Sequence, residues 1–169
     1  MAILKAIVCV DSDWAIGKNN DLLYKIPEDM EFFKRMTVYN TVVMGHKTFI
    51  SMGNRKLNLR KNIVLTRDEY LRKHGNKNNL RFMTTDEFDN IFKNSASDKV
   101  YFIIGGEEIY KKYYRQCDEI YVTMVSDRIN DPDKYFPDLN YCREFKLVGG
   151  LGTGRYKGLN YEFTRWIKV

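Results

Sequence analysis

Two runs in this chain, Val42-Val43-Met44 and Tyr101-Phe102-Ile103-Ile104, are apolar at every position and not merely at every second one. Side chains along a strand alternate between its two faces. An unbroken apolar run therefore fits a strand only where both faces are covered, as in a parallel sheet lying between helices. Each run ends in glycine, at Gly45 and at Gly105-Gly106, and helix-compatible sequence follows. Residues 62–66 form a third β-rich run, ending at Thr66 and also followed by helix-compatible sequence. The pattern predicts an α/β fold with a central, twisted, mainly parallel sheet flanked by helices.

The last third changes character. Residues 120–125, 145–148 and 161–169 are strand-like with little helix between them, which predicts an antiparallel C-terminal strand pair at the sheet edge. In the final run Tyr161, Phe163, Arg165 and Ile167 alternate with Glu162, Thr164, Trp166 and Lys168, the period of a strand with two different faces. The glycine-rich stretch 149–154 before it reads as a mobile loop. Helix starts are marked at Pro27, followed by Glu28 and Asp29, and at Thr84, followed by Glu87 at the capping-box position.

A chain of 169 residues, 44% hydrophobic and without linker or repeat, suits a single domain spanning 1–169. Three widely spaced cysteines, Cys9, Cys117 and Cys142, indicate neither a disulfide framework nor a zinc site and fit a reducing cytoplasm. The apolar opening stretch is broken by Lys5 and closed by Asp11, too short for a membrane span. The net charge of +6 is scattered, without a basic run or an aromatic RNA-binding motif, so phosphorylated small molecules explain it as well as nucleic acid does. With His46 and His74 alone and no HExxH, metal chemistry has little support. Nothing marks an assembly element, and a monomer is expected.

The most informative segment is 26–37. At about 100° per residue, Asp29 shares its stripe with Phe32, Phe33 and Met36, while Glu28, Glu31, Lys34 and Arg35 take the opposite side. Two readings stand. A first-turn acid complements the helix dipole. Alternatively, because a carboxylate on an apolar face needs a partner, Asp29 meets a ligand with paired N–H donors, such as an amidine-like ring edge. The strand-to-helix turns at 44–49 and 104–110 offer backbone N–H groups to phosphate, and Arg67 after Leu65-Thr66 adds a cation. Neither turn is a complete GxGxxG or Walker A motif.

From Ile7 to Thr123 the chain carries, in order, Ile7-Val8-Cys9-Val10-Asp11, Ala15-Ile16-Gly17, Leu22 to Asp29, Phe32-Phe33-Lys34, Val43-Met44-Gly45, Lys47-Thr48, Arg60-Lys61-Asn62, Ile104-Gly105-Gly106 and Tyr110, with Tyr135-Phe136-Pro137 and Tyr161-Glu162-Phe163 in the tail. In order and spacing these resemble the motifs of the dihydrofolate reductase family. The resemblance implies NADPH-dependent reduction of dihydrofolate for one-carbon metabolism, with hydride passing to pterin C6 and a solvent proton to N5.

The same resemblance assigns roles. Asp29, Leu22 and Tyr24 match the catalytic group, with Asp29 gripping the pterin 2-amino group and N3. Ile7, Val8, Met30, Phe33, Met52, Leu57, Arg60, Ile104, Tyr110 and Thr123 match the substrate site: the carbonyls of Ile7 and Ile104 face the pterin edge, Thr123 bonds the Asp29 carboxylate, and Arg60 meets the glutamate tail. Bland readings stand beside these, strand propensity for Thr123 and solvated surface charge for Arg60. Cys9, Ala15, Ile16, Gly17, Asn20 and Leu22 match the nicotinamide side. Gly45, His46, Lys47, Thr48, Leu65, Thr66, Arg67, Gly105, Gly106, Glu107, Glu108 and Ile109 match the phosphate and adenosine side. Cys9 is read as a packing residue that presents its backbone to the cofactor. Segment 11–24 is expected to be a flexible lid, and antifolates are expected inhibitors.

The chain departs from the family pattern at Leu23-Tyr24, where proline and tryptophan are usual; at His46, where arginine is usual; at 54–59, which lacks prolines; and at Pro132-Asp133. The tyrosine hydroxyl is the expected substitute for the indole's water contact. Two rivals remain: another pterin or pyrimidine reductase of this fold, against which Asp29 argues, and a catalytically silent nucleotide- or RNA-binding protein, which a turnover assay separates.

Overall fold

The computed structural model describes residues 1–169. Its centre is an eight-stranded sheet built from β1 (Ile3–Val10), β4 (Thr41–Gly45), β5 (Lys61–Leu65), β6 (Leu80–Met83), β7 (Val100–Gly105), β8 (Glu119–Val125), β10 (Phe145–Tyr156) and β11 (Leu159–Lys168). The order across the sheet is β10-β11-β8-β1-β7-β4-β5-β6. From β8 to β6 every neighbouring pair is parallel; β11 runs antiparallel to β8, and β10 to β11. The mainly parallel sheet and its antiparallel edge are as the sequence predicts. Residues 120–125 form the boundary strand, antiparallel to β11 on one side and parallel to β1 on the other, because a helix returns the chain from β7 to the same end of the sheet.

Five helices cover the two faces: α1 (Pro27–Thr37), α2 (His46–Ser51), α3 (Glu69–His74), α4 (Thr85–Lys93) and α5 (Glu107–Tyr113). None is long and apolar enough to cross a membrane. One core layer holds Leu4, Ala6, Val8, Val10, Phe88, Tyr101, Ile103, Tyr110 and Tyr113, beneath α4 and α5. The other holds Ile7, Phe32, Val42, Met44, Phe49, Phe102, Tyr121 and Phe163, beneath α1 and α2. Consecutive residues of β1 and β7 thus feed opposite layers, which is why their runs show no polar alternation. Both helix-start signals hold: Pro27 opens α1, and the Thr84 hydroxyl accepts from the Glu87 N–H at the start of α4.

The glycine-rich stretch 149–154 is not a loop. It lies within β10, a twelve-residue edge strand whose ladder with β11 has two irregularities, between Leu147 and Gly150 and between Gly150 and Gly152. A Cβ on Gly154 would stand 2.4 Å from the Tyr161 hydroxyl, so this glycine admits the ring of the paired strand.

Segment 11–24, expected to be a flexible lid, contains β2 (Ala15–Lys18) and β3 (Asp21–Leu22), which form a small sheet with β9 (Lys134–Tyr135). Asp11, fully buried, accepts from the N–H groups of Asp13, Ala15 and Ile129 at 2.9, 2.9 and 3.1 Å. One carboxylate thereby fixes the exit of β1 and ties it to the 127–136 segment. Asp11→Ala would strand three buried donors and should lower unfolding free energy by about 1–3 kcal/mol, with faster amide exchange at 12–18 and at 129. Unchanged stability in denaturant titration would show that water replaces the carboxylate without loss.

Candidate active site

The parallel strands β1, β8, β7, β4 and β5 all end at the same edge of the sheet, where open α/β folds place their ligands. Over that edge α1 is anchored by Phe32, which stacks on Phe163 of β11 at 4.5 Å between centroids and meets Tyr121 of β8 edge-on at 6.3 Å. Asp29 lies one turn earlier on the same stripe. Its Oδ1 accepts from the Thr123 hydroxyl at 2.6 Å, a bond between residues 94 positions apart that joins α1 to β8.

Asp29 belongs to no ion pair. Burial raises its pKa above the ordinary aspartate value, and the hydrogen bond from Thr123 and the nearby Cys9 thiol pull the other way. The group is therefore a poorly solvated carboxylate with neutral donors on one side. An N–H pair presented to it would find an acceptor that water serves badly.

The side chains around it are mostly half-buried: Cys9, Tyr24, Phe33, Met52, Leu57 and Ile104 all pack against the α1-side core layer while retaining an open face. Seven of the expected substrate residues meet there with Asp29: Ile7, Phe33, Met52, Leu57, Arg60, Ile104 and Thr123. Arg60 is not solvated surface. It is 8% exposed, its Nη1 donates to Thr37 Oγ1 at 3.0 Å and its Nε to the Asn58 carbonyl at 2.9 Å, and its guanidinium lies 6.0 Å from the Phe33 ring centroid. Burial lowers its pKa, and it has no acidic partner among the protein's ion pairs.

Other expected residues are placed differently. Val8 and Leu65 send their side chains into the opposite core layer, so only their backbones face the crevice side. Met30 is 61% and Leu22 68% exposed; Asn20 is exposed with φ of 60°. The Ile7 carbonyl already accepts from the Tyr110 hydroxyl at 2.7 Å, leaving one lone pair for a ligand. Cys9, read as a packing residue, does pack against the α1-side core layer, and its register partner on β8 is Thr123.

On the other flank, the β4–α2 and β7–α5 turns approach closely: a Cβ on Gly45 would sit 3.0 Å from Ile109 Cγ1 and 3.9 Å from the Gly105 carbonyl. Side chains on Gly105 and Gly106 would crowd Thr48, at 3.4 and 3.1 Å from its hydroxyl, and Gly105 has φ of 133°. Helices α2 and α5 follow these glycines without a side-chain cap, whereas Asp68 and Thr84 cap α3 and α4. The uncapped turns keep free N–H groups beside the exposed side chains of Lys47 and Arg67. His46 Nδ1 lies 3.1 Å from the Thr66 hydroxyl and joins the β4 and β5 turns. Glu108 is exposed. Glu107 is committed elsewhere, accepting from the Tyr135 N–H at 2.6 Å and pairing with Lys111 at 3.3 Å. A glycine cradle, free N–H groups and unpaired cations fit a dinucleotide phosphate.

A family model described as dihydrofolate reductase matches residues 3–167. The chain belongs to the dihydrofolate reductase family. It is 30% identical over 168 residues to the dihydrofolate reductase of Bacillus subtilis, covering 98% of this chain and 95% of that one. To the Buchnera aphidicola enzyme from Schizaphis graminum it is 29% identical, covering 95% and 94%. Among solved structures it resembles the Enterococcus faecalis dihydrofolate reductase complexed with NADP(H) and RAB-propyl, with a TM-score of 0.83, 26% identity and coverage of 98% and 96%.

Two features of this dihydrofolate reductase escape motif reading. Between Glu31 and Asp68 the chain has no acid but eight cations, Lys34, Arg35, Lys47, Arg55, Lys56, Arg60, Lys61 and Arg67; counting acids as well as bases along the chain would have exposed this stretch. Asp127 carries no sequence signal, yet it accepts from the Tyr24 hydroxyl at 3.0 Å and its carbonyl accepts from the Ser12 N–H at 2.8 Å. The Tyr24 hydroxyl thus commits its proton to a bond between segments and keeps its oxygen as an acceptor. Tyr24→Phe should lower stability by about 0.5–1.5 kcal/mol and accelerate exchange around residue 12 and across 22–26. Equal exchange in both proteins would mean the Tyr24–Asp127 bond does not hold these segments together.

Proposed function

We propose that Asp29 and Thr123 organise the reaction of this dihydrofolate reductase, the NADPH-dependent reduction of 7,8-dihydrofolate to 5,6,7,8-tetrahydrofolate. The observation that carries this assignment is the poorly solvated Asp29 carboxylate, held by Thr123 at the crevice and lacking any cationic partner. Two parallel N–H donors on the pterin, the 2-amino group and N3, complete it. Phe33, Met52, Leu57 and Ile104 enclose the ring and the aminobenzoyl group with apolar surface, and the second lone pair of the Ile7 carbonyl meets the ring edge. Arg60, preset by Thr37 and Asn58, takes the tail carboxylate with its remaining guanidinium edge.

The cofactor supplies hydride to pterin C6. The chain's part is to hold the two ligands in contact and exclude bulk water while solvent delivers one proton to N5. Gly45 and Gly105-Gly106 leave room for the pyrophosphate, Thr48 and the free N–H groups of the two turns would donate to it, Lys47 would neutralise it, and Arg67 would meet the additional 2′-phosphate. His46, bonded to Thr66, acts chiefly by fixing the turn. Leu22, Asn20 and the β2 strand lie along the nicotinamide side. The enzyme is expected to work as a monomeric single unit in the cytoplasm and to bind antifolates that present paired donors to Asp29.

Asp29→Asn keeps the shape but replaces half of the acceptor with a donor, so kcat/KM for dihydrofolate should fall at least about 100-fold near neutral pH, or about 2.7 kcal/mol. Stability should move the opposite way. Folded Asp29 binds its proton more tightly than the unfolded chain does, so wild-type stability declines as pH rises from the ordinary aspartate pKa through the folded one. The Asn variant lacks that decline and should be the more stable protein at neutral pH. Turnover near the wild-type rate would remove Asp29 from its role. Arg67→Ala should raise KM for NADPH about tenfold and leave NADH nearly unchanged, the signature of a lost contact to the extra phosphate; equal losses would place Arg67 elsewhere.

A further inference from the structure

We infer that Cys9 is a positioning residue for Asp29, its thiol donating to the carboxylate beside the Thr123 hydroxyl. The inference rests on the reading of Asp29 as the pterin anchor and adds a second donor to it. Cys9 and Thr123 are register partners on the adjacent parallel strands β1 and β8. Partners across a ladder present their side chains to the same face, about 5 Å apart. Thr123 reaches Asp29 at 2.6 Å, and Cys9 packs against the same core layer as Phe32 and Tyr121. The two side chains stand together beneath one carboxylate.

The thiol stays protonated. Burial raises its pKa well above the usual cysteine value, and the charge and hydrogen bond of Asp29 raise it further. A protonated thiol facing a carboxylate can only donate. At Asp29 the effect is reciprocal, since the Thr123 bond and the nearby thiol oppose the rise that burial imposes. The other titratable groups facing the carboxyl are the phenols of Tyr110 on α5 and Tyr161 on β11, with Glu28 beside it on α1. No cation forms an ion pair with it. The ionisation of the pterin anchor is therefore balanced by two neutral donors, one of them a residue whose sequence context reads as packing.

The test is a titration of the free enzyme by 13C NMR of labelled aspartate carboxyls, with the Asp29 resonance assigned by its loss in Asp29→Asn. Cys9→Ala, and Cys9→Val, which fills the space without donating, should move the Asp29 midpoint up by about half a pH unit. Cys9→Ser, which retains a donor, should leave it at or below the wild-type value. The acid limb of kcat/KM for dihydrofolate should follow the same order. An unmoved midpoint in a folded Ala or Val variant overturns the inference, as does a Ser variant that shifts as far as Val. Failure of the underlying reading looks different, because Asp29→Asn would then retain turnover whatever the titration shows.

Discussion

The bond from Thr123 to Asp29 is the interaction through which the rest of the site acquires its geometry. It requires α1 to lie across β8 at a fixed depth, which the Phe32 stack on Phe163 sets. It also requires the β8 register that turns Tyr121, Thr123 and Val125 to the α1 side and Ile120 and Val122 to the other. A one-residue slip would present Val122 or Met124 to the carboxylate and leave it buried without that donor. The apolar packing of the sheet therefore has a polar requirement at its centre, and the Thr123 hydroxyl meets it.

Around that contact the two core layers divide the work. The layer beneath α4 and α5 is closed, with Phe88, Tyr101 and Tyr113 packed edge to face at 5.5 and 5.6 Å. The layer beneath α1 and α2 is left half-open toward the crevice, where its partly buried residues keep an apolar face available to a ligand. Tyr110 joins the two, since its ring belongs to the closed layer and its hydroxyl reaches the Ile7 carbonyl. At the opposite ends of the strands, Glu119 gathers Lys5, Arg165 and Tyr121. Burial alone would raise its pKa, but the bonds from Arg165, Tyr121 and Lys5 bring it down to about 2. This cluster ties β1, β8 and β11 far from the chemistry.

The parts of this arrangement legible in the sequence are those where one local pattern decides one outcome. Unbroken apolar runs identified buried parallel strands, Pro27 and Thr84 marked helix starts, and the misplaced acid on the 26–37 stripe pointed to a poorly solvated carboxylate at the crevice. Long-range partners decided the rest. Residues 149–154 look like a loop because glycine is judged locally, yet β11 supplies their hydrogen bonds and the Tyr161 ring occupies the space a side chain would need. Arg60 looks solvated until Thr37, from another element, accepts its proton. Segment 11–24 looks free until β9, more than 100 residues later, pairs with β2. Cys9 looks like filler until the β1–β8 register brings it beside Thr123.

The charge distribution follows from the same division. Both ligands carry their negative charge at their ends, on phosphates and on tail carboxylates, while their reacting rings are neutral. The acid-free stretch from 32 to 67 places its eight cations on α1, on α2, in the loop that follows α2 and around the two ends of β5. At the crevice Asp29 has no cation beside it to form an ion pair. A field of this form draws polyanions to the crevice from solution, but it would also draw them into wrong orientations if the ring site were cationic or uncharged. A single buried carboxylate repels a phosphate or a tail and accepts only the donor edge of a ring, so the charges that speed encounter and the charge that fixes orientation have opposite signs.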